Sequence, residues 1–497
     1  MSRRTPRPQA IAAAASLIAL AGCTVGPDYR RTAVDTPAQW QLDPSDAYWH
    51  PAKPSHAPLT PDWWHAFDDT TLDSLETRAL GNNQTVQAAA AHYEAARALL
   101  ASSRSAGLPS VGLDTDVART RTSANRPLTN YGSIDQSTVQ NNTQIAATVT
   151  YEADLFGRIR RTVEASRANT EQASDDLANA RLVVTADLAS GYLALREADA
   201  EIDVLDRSTK LQKKALDFVT TQHDLGAASG LELLQQKAQL EATETQAQLQ
   251  RNQRARYEHA IATLVGTPAP AFSIAPALVP LNAPALPIGV PSNVLQRRPD
   301  VAAAERAMAA ANAKIGVARA AYFPDLSLSP GIGWEATRFA SLFTVPSLIW
   351  SIGASVSQPL FEGGRLSAGV DYAKANYAAA QAAYRQTVLN AFEEGQNAVT
   401  GLSVLEAALQ RASAASADAR KLVELAQDRY AGGLTPYIDV ISAQQQLLTS
   451  ERQEVQIRGQ RAALVVYLAK ALGGGWQDGD ASVSSSALVE PRAQVSQ

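Results

Sequence analysis

Cysteine is almost absent: Cys23 is the only one, so no disulfide can form within the chain, and a redox or thiolate-metal role has nothing to build on. Histidine is nearly as sparse. His50, His56, His65, His92, His223 and His259 lie far apart, with no HExxH or comparable ligand spacing. No serine sits in a G-x-S-x-G elbow, and the Gly-Gly pairs lack the Lys and Ser or Thr of a phosphate-cradling loop. Glu393 and Glu394 are adjacent, so on a helix they diverge by about 100° and read as a solvated face rather than a catalytic pair. The formal net charge is −5, with both signs interspersed, which gives nucleic-acid binding no support. Beyond the N-terminus no segment reaches the roughly 20 apolar residues of a spanning helix, so any membrane crossing would have to use β-strands. These absences argue against an enzyme and against an ATP-driven machine.

What is present begins with a targeting segment. Arg3, Arg4 and Arg7 precede an apolar run from Ile11 to Leu20, too short to span a bilayer, and Leu20-Ala21-Gly22-Cys23 has the form of a bacterial lipobox. Cys23 is therefore the expected lipidation site, carrying S-diacylglycerol and N-palmitoyl groups, with no other cofactor. Thr24 follows it instead of the Asp that signals inner-membrane retention, so the expected address is the outer membrane. Several acyl chains suffice for stable anchoring, each buried CH₂ contributing about 0.8 kcal/mol.

Met and Phe are scarce, while Ala, Gln, Leu and Ser dominate, a composition suited to long helices packed through small side chains. The chain is also written twice, with features recurring at a separation of about 207 residues. Gln222 to Gln236 aligns with Arg429 to Ala443, pairing Gly226 with Gly433, Leu231 with Ile438 and Glu232 with Asp439. Each is a helix-Gly-helix hairpin, the glycine supplying the left-handed conformation that closes a helix. Leu155-Phe156-Gly157 pairs with Leu360-Phe361-Glu362-Gly363, Gly107-Leu108-Pro109 with Tyr322-Phe323-Pro324, and Leu264-Val265-Gly266 with Ala471-Leu472-Gly473.

Within each half the pattern changes period. Val111, Leu113, Thr115 and Val117 alternate with Gly112, Asp114, Asp116 and Ala118, and Ile145, Ala147, Val149 and Tyr151 continue the alternation on a second strand. Leu326 and Leu328 start a third strand, and Trp350, Ile352, Ala354 and Val356 oppose Ser351, Gly353, Ser355 and Ser357 on a fourth. An apolar face against a small polar face fits lipid outside and water inside, although a soluble sheet would alternate too. Proline-free runs from Arg158 to Thr221 and from Leu366 to Tyr430 carry apolar residues at steps of three, four or seven, including Val184, Leu188, Leu195, Tyr384, Ala398 and Leu422. The expected layout is a signal peptide (1–22), a lipidated extended strap (23–61), a first repeat (62–266), a Pro/Ala-rich extended linker (267–291), a second repeat (292–474) and a tail (475–497). Four strands cannot close a membrane barrel, so two copies, giving eight strands, or three, giving twelve, must share one.

Cys23-Thr24-Val25-Gly26-Pro27-Asp28-Tyr29, Trp63-Trp64, the paired Leu-Phe elements and the paired hairpins together resemble the TolC-like outer membrane factors, and most closely their OprM-like (NodT-type) lipoprotein branch. The resemblance implies an α+β membrane protein, a homotrimer with a shared twelve-stranded transmembrane β-barrel and a long α-helical barrel in the periplasm. It implies docking to a periplasmic membrane-fusion adaptor and an inner-membrane pump of the proton-driven RND type. It further implies a periplasmic gate in which Asp439 contributes to an acidic ring and Tyr430 locks neighbouring helices. Gly226, Ala227, Ala228, Gly433, Leu434 and Thr435 would face the adaptor. Ser442 stands where many members carry a second ring Asp, which implies a single ring here. The exported compounds would be drugs or other small toxic molecules. A metal or protein secretion duct, or a periplasmic coiled-coil spacer without a pore, are the alternatives.

Overall fold

The computed structural model describes residues 24–42, 48–49, 60–121, 123, 139–286, 291 and 297–476. The signal segment, Cys23 and the tail beyond residue 476 lie outside these residues. A 3₁₀ turn at Trp63–Phe67 leads into α1 (Thr70–Asn82), α2 (Gln84–Ser105), β1 (Ser110–Arg121), β2 (Val139–Ala153), α3 (Arg158–Asp224) and α4 (Gly230–Leu264). There follow α5 (Pro299–Ala320), β3 (Asp325–Leu328), β4 (Gly331–Ala336), β5 (Leu348–Ser351), β6 (Ala354–Ser357), α6 (Arg365–Ala431) and α7 (Tyr437–Ala471). No helix among the described residues is long and apolar enough to cross a membrane.

Element lengths recur. α3 and α6 each hold 67 residues, α4 and α7 each 35, and α2 and α5 each 22. A 67-residue helix is about 100 Å long at 1.5 Å per residue. α6 starts 207 residues after α3, as α7 does after α4, while α5 and β3 start 215 residues after α2 and β1. The described residues form two compact units, one lying within 1–32, 94–172 and 305–383, the other within 33–93, 173–304 and 384–497.

The first unit holds the sheet. β1 pairs with β2, β2 with β3 and β4, β4 with β5, and β3 with β6, all antiparallel. The four expected strands are thus two continuous runs and two interrupted ones. Pro330, which has no N–H to give the ladder, separates β3 from β4, and its carbonyl accepts from the Val149 N–H at 2.9 Å. The second break faces the first, with the Ser329 N–H donating to the Gly353 carbonyl at 2.9 Å. Register places Val111 beside Val149, Leu113 beside Ala147, Ile145 beside Trp334, Ile332 beside Trp350 and Leu326 beside Val356. The apolar residues of all four runs therefore share one face. That face is bare: Val111, Leu113, Val117 and Trp350 are 70–75% exposed. Along the two outer edges, β1 and β5–β6, no further strand pairs among the described residues.

The second unit holds the main core. Trp63, Trp64, Leu72 and Leu75 pack with Leu188, Tyr192, Leu195, Ile261, Leu402, Val465 and Leu468. Val184, Leu188, Leu195 and Ala398 are buried as the seam requires, but Leu422 is 48% exposed and its neighbour Val423 takes the inward position. A straight helix drifts about 20° per heptad, enough over several turns to exchange adjacent residues on a seam.

The Pro/Ala-rich linker is pinned at several points to the helices beneath it. Arg254 joins Asp199 at 2.6 Å and donates to the Ile274 carbonyl at 2.6 Å, while Arg196 donates to the Ala275 carbonyl at 2.9 Å. The Ala277 N–H donates to Asp199 at 3.2 Å, and Ile274 is buried. A polar network beneath it, on α3 and α4, supplies the partners that this proline-rich backbone cannot give itself. Glu394 departs from its reading as solvated, since its carboxylate takes Arg298 at 2.5 Å, itself 5% exposed.

Candidate functional site at the helical hairpin turns

Both long helices end in the same way. The Gly226 N–H donates to His223 at 2.9 Å and Ala227 to Gln222 at 2.8 Å; Gly433 donates to Tyr430 at 2.9 Å and Leu434 to Arg429 at 2.9 Å. These are Schellman closures, and φ of +79° at Gly226 and +70° at Gly433 is the left-handed geometry they need. Of the predicted turn residues, Gly226, Ala227, Gly433 and Leu434 are exposed, whereas Ala228 and Thr435 are half-buried. Leu225, Leu231 and Leu434 are 66–75% exposed, so each turn carries unpartnered apolar surface.

The returning helices start differently. Ser229 caps α4 in a reciprocal capping box, its side chain accepting the Glu232 N–H at 3.3 Å and its own N–H donating to the Glu232 carboxylate at 3.0 Å. Asp439 occupies the same place in α7, where the N-cap is Pro436. Proline has no N–H, so the reciprocal bond cannot form. The Asp439 backbone N–H donates to the Pro436 carbonyl at 3.1 Å, and its carboxylate stays exposed at the helix start. Ser442, also exposed, bonds back to its own helix, donating to the Ile438 carbonyl at 2.8 Å.

Behind the turn, Tyr430 meets Tyr437 edge-on at 4.9 Å and Phe218 at 6.4 Å. Burial raises both the Tyr430 and Tyr437 phenols above their ordinary range, with smaller contributions from Glu232 at Tyr430 and from Tyr430 and then Glu232 at Tyr437. Tyr437 is 2% exposed and donates to Gln236 Oε1 at 2.8 Å; Gln236 in turn donates to the Gln212 carbonyl at 3.0 Å. Gln444, also 2% exposed, has no hydrogen-bond partner at either end of its amide. The sequence reading missed this buried glutamine layer. Its signal was present, because Gln236 and Gln444 sit at seam spacing from Leu240 and Leu448, where an apolar residue would be expected. Cys23 lies outside the described residues.

Long antiparallel helix pairs joined to a sheet with a bare apolar face define a channel-forming outer-membrane subunit as the class to compare. The solved outer-membrane channel OprN superposes with a TM-score of 0.84 at 31% identity, covering 92% of this chain and all of that one. The solvent efflux pump outer membrane protein SrpC of Pseudomonas putida is 30% identical over 465 residues, 93% of this chain and 97% of the relative. The toluene efflux pump outer membrane protein TtgF, also of Pseudomonas putida, is 29% identical over 466 residues, 93% of this chain and 96% of the relative. The outer membrane efflux protein family model matches residues 75–267 and 290–474. The chain belongs to the outer membrane efflux protein family.

Proposed function

We propose that the protein is the outer-membrane channel subunit of a tripartite efflux pump, exporting drugs, solvents or other small toxic compounds. The observation that carries this reading is the single apolar face running through all four strand runs, exposed and open at both edges, on a chain of this family. An edge left in lipid costs several kcal/mol for each unpaired backbone group, so the sheet must close with copies of itself. A homotrimer gives twelve strands and a water-filled lumen lined by the small polar face. The recurring helices of an internally duplicated chain form the periplasmic barrel. A lipid on Cys23 adds the anchor, and the apolar hairpin turns meet a membrane-fusion adaptor coupled to an inner-membrane pump of the RND type.

Transport through such a duct needs no bond chemistry. Asp439 is the gate residue: its carboxylate is released from capping duty by Pro436, and three copies brought together at the closed end form an acidic ring. Tyr430 stiffens the same end through its contacts with Tyr437 and Phe218. The test is single-channel recording in planar bilayers. The natural lipoprotein should conduct weakly, and Asp439→Ala should open more often or more widely. Unchanged conductance would remove Asp439 from the gate, and no conductance from verified, inserted trimers would overturn the channel.

A further inference from the structure

The segment Thr24-Val25-Gly26-Pro27-Asp28-Tyr29 helps to carry the family resemblance but is given no role in the channel proposed above, and it lies in a built seat within the first compact unit. Arg161 of α3, with a side chain only 5% exposed, donates from Nη2 to Asp28 at 2.8 Å and to the Gly26 carbonyl at 3.3 Å, and from Nε to the Val25 carbonyl at 3.3 Å. Asn312 of α5, itself buried, donates to the Pro27 carbonyl at 2.9 Å. Three successive carbonyls are therefore held by two buried side chains. The Val25 N–H donates to the Phe156 carbonyl at 3.2 Å, the Tyr29 hydroxyl to Glu305, and Arg306 lies over the Tyr29 ring at 5.8 Å.

Shape is as selective as polarity. Gly26 has φ of +110°, and a Cβ there would lie 2.5 Å from the Gly316 Cα; a Cβ on Gly316 would lie 2.8 Å from the Arg161 side chain. The segment thus fits only where a glycine meets a glycine across it. Such a site is more than an extended strap resting on helices needs.

We propose that residues 24–29 are a clasped tether: an intramolecular peptide site formed by Arg161, Asn312 and Gly316 fixes the start of the mature chain to the junction of β2 and α3. A lipid on Cys23 then leaves the body at one point, within about 4 Å of Thr24, the spacing of adjacent Cα atoms. A free tether of the 39 residues from Thr24 to Asp62 could let it range on the order of 130 Å. The placement of the lipid rests on the reading of Cys23 given above; the clasp itself does not.

The experiment uses full-length trimers in phosphatidylethanolamine–phosphatidylglycerol vesicles, with a nitroxide on Val25→Cys and mass spectrometry of the N-terminal peptide. The label should be immobilised, and Gly26→Ala or Asp28→Ala should speed its motion several-fold while conductance and helical circular dichroism stay unchanged. A second form, exported through a conventional signal peptide with Cys23→Ser, should keep the label immobilised. A mobile label in the otherwise natural chain, or one indifferent to Gly26→Ala, overturns the clasp. An immobilised label on the chain that retains Cys23, with mass spectrometry finding no lipid there, supports the clasp and overturns the reading of Cys23.

Discussion

Glu76 offers a test in which burial alone sets the sign and the size. It lies on the inward face of α1 with Leu72, Leu75 and Ala79, has no solvent exposure, and neither carboxylate oxygen has a hydrogen-bond partner. Burial, and to a lesser degree the charge of Asp73, pushes its carboxyl from an ordinary 4.5 to about 9. At pH 7 the folded chain therefore holds a proton that the unfolded chain does not. Because the folded value is the raised one, stability is greatest below about 4.5 and falls as pH rises towards about 9. Keeping the acid neutral at pH 7 costs about 3 kcal/mol, from the 2.5 pH units above 4.5 at roughly 1.4 kcal/mol each. Glu76→Gln removes that cost while keeping the shape. Its amide gains no partner in the same place, so a gain of about 1–3 kcal/mol at pH 7 is expected, shrinking to nothing near pH 4.5. The assay is the difference in apparent melting temperature between variant and natural trimers across pH 4.5–8 in one detergent, in which every other titration cancels. Parallel profiles, or a variant less stable at pH 7, would refute the argument.

Pro436→Ser should restore a capping box with Asp439, raising stability by about 1 kcal/mol in thermal unfolding and shifting channel opening in the direction of Asp439→Ala. Tyr437→Phe strands Gln236 Oε1 in the buried layer, and a loss of about 1–3 kcal/mol should appear in the same melt. Arg254→Ala leaves the buried Asp199 with one cation fewer and frees the Ile274 carbonyl; a cost of about 3 kcal/mol and new protease cleavage within residues 267–286 are expected. Trp350→Asp sets a charge on the exposed apolar face, and membrane extraction should show the chain failing to insert while its helical circular dichroism persists.

Much of the fold could be read because its signals are local. Gly226 and Gly433 close helices whatever surrounds them, Pro109 and Pro324 end the preceding ones, and alternation along β1 and β2 needs no partner to be seen. Where the reading failed, a distant contact decided. Glu394 looked solvated because its cation, Arg298, lies 96 residues away, and Arg161 reaches Asp28 across 133. The contacts that hold the extended linker could not be read, because the side chains that pin it, Arg196, Asp199 and Arg254, belong to other elements. Leu422 missed its place by one residue because small phase errors accumulate along a long helix. The strand breaks were legible in part, since Pro330 inside an alternating run is a breaker, but the matching interruption at Ile352 and Gly353 follows only from pairing.

The contrast between Ser229 and Pro436 also sets how freely two equivalent positions can vary. Replacing Glu232 dismantles a helix cap, so substitutions there are filtered by whether the chain folds. Replacing Asp439 disturbs no cap, so on the gate proposed above substitutions there are filtered only by whether the channel leaks. In a library selected for abundance alone, position 439 should drift while position 232 holds. In one selected for survival under toxic compounds, both should be constrained, each for a different reason.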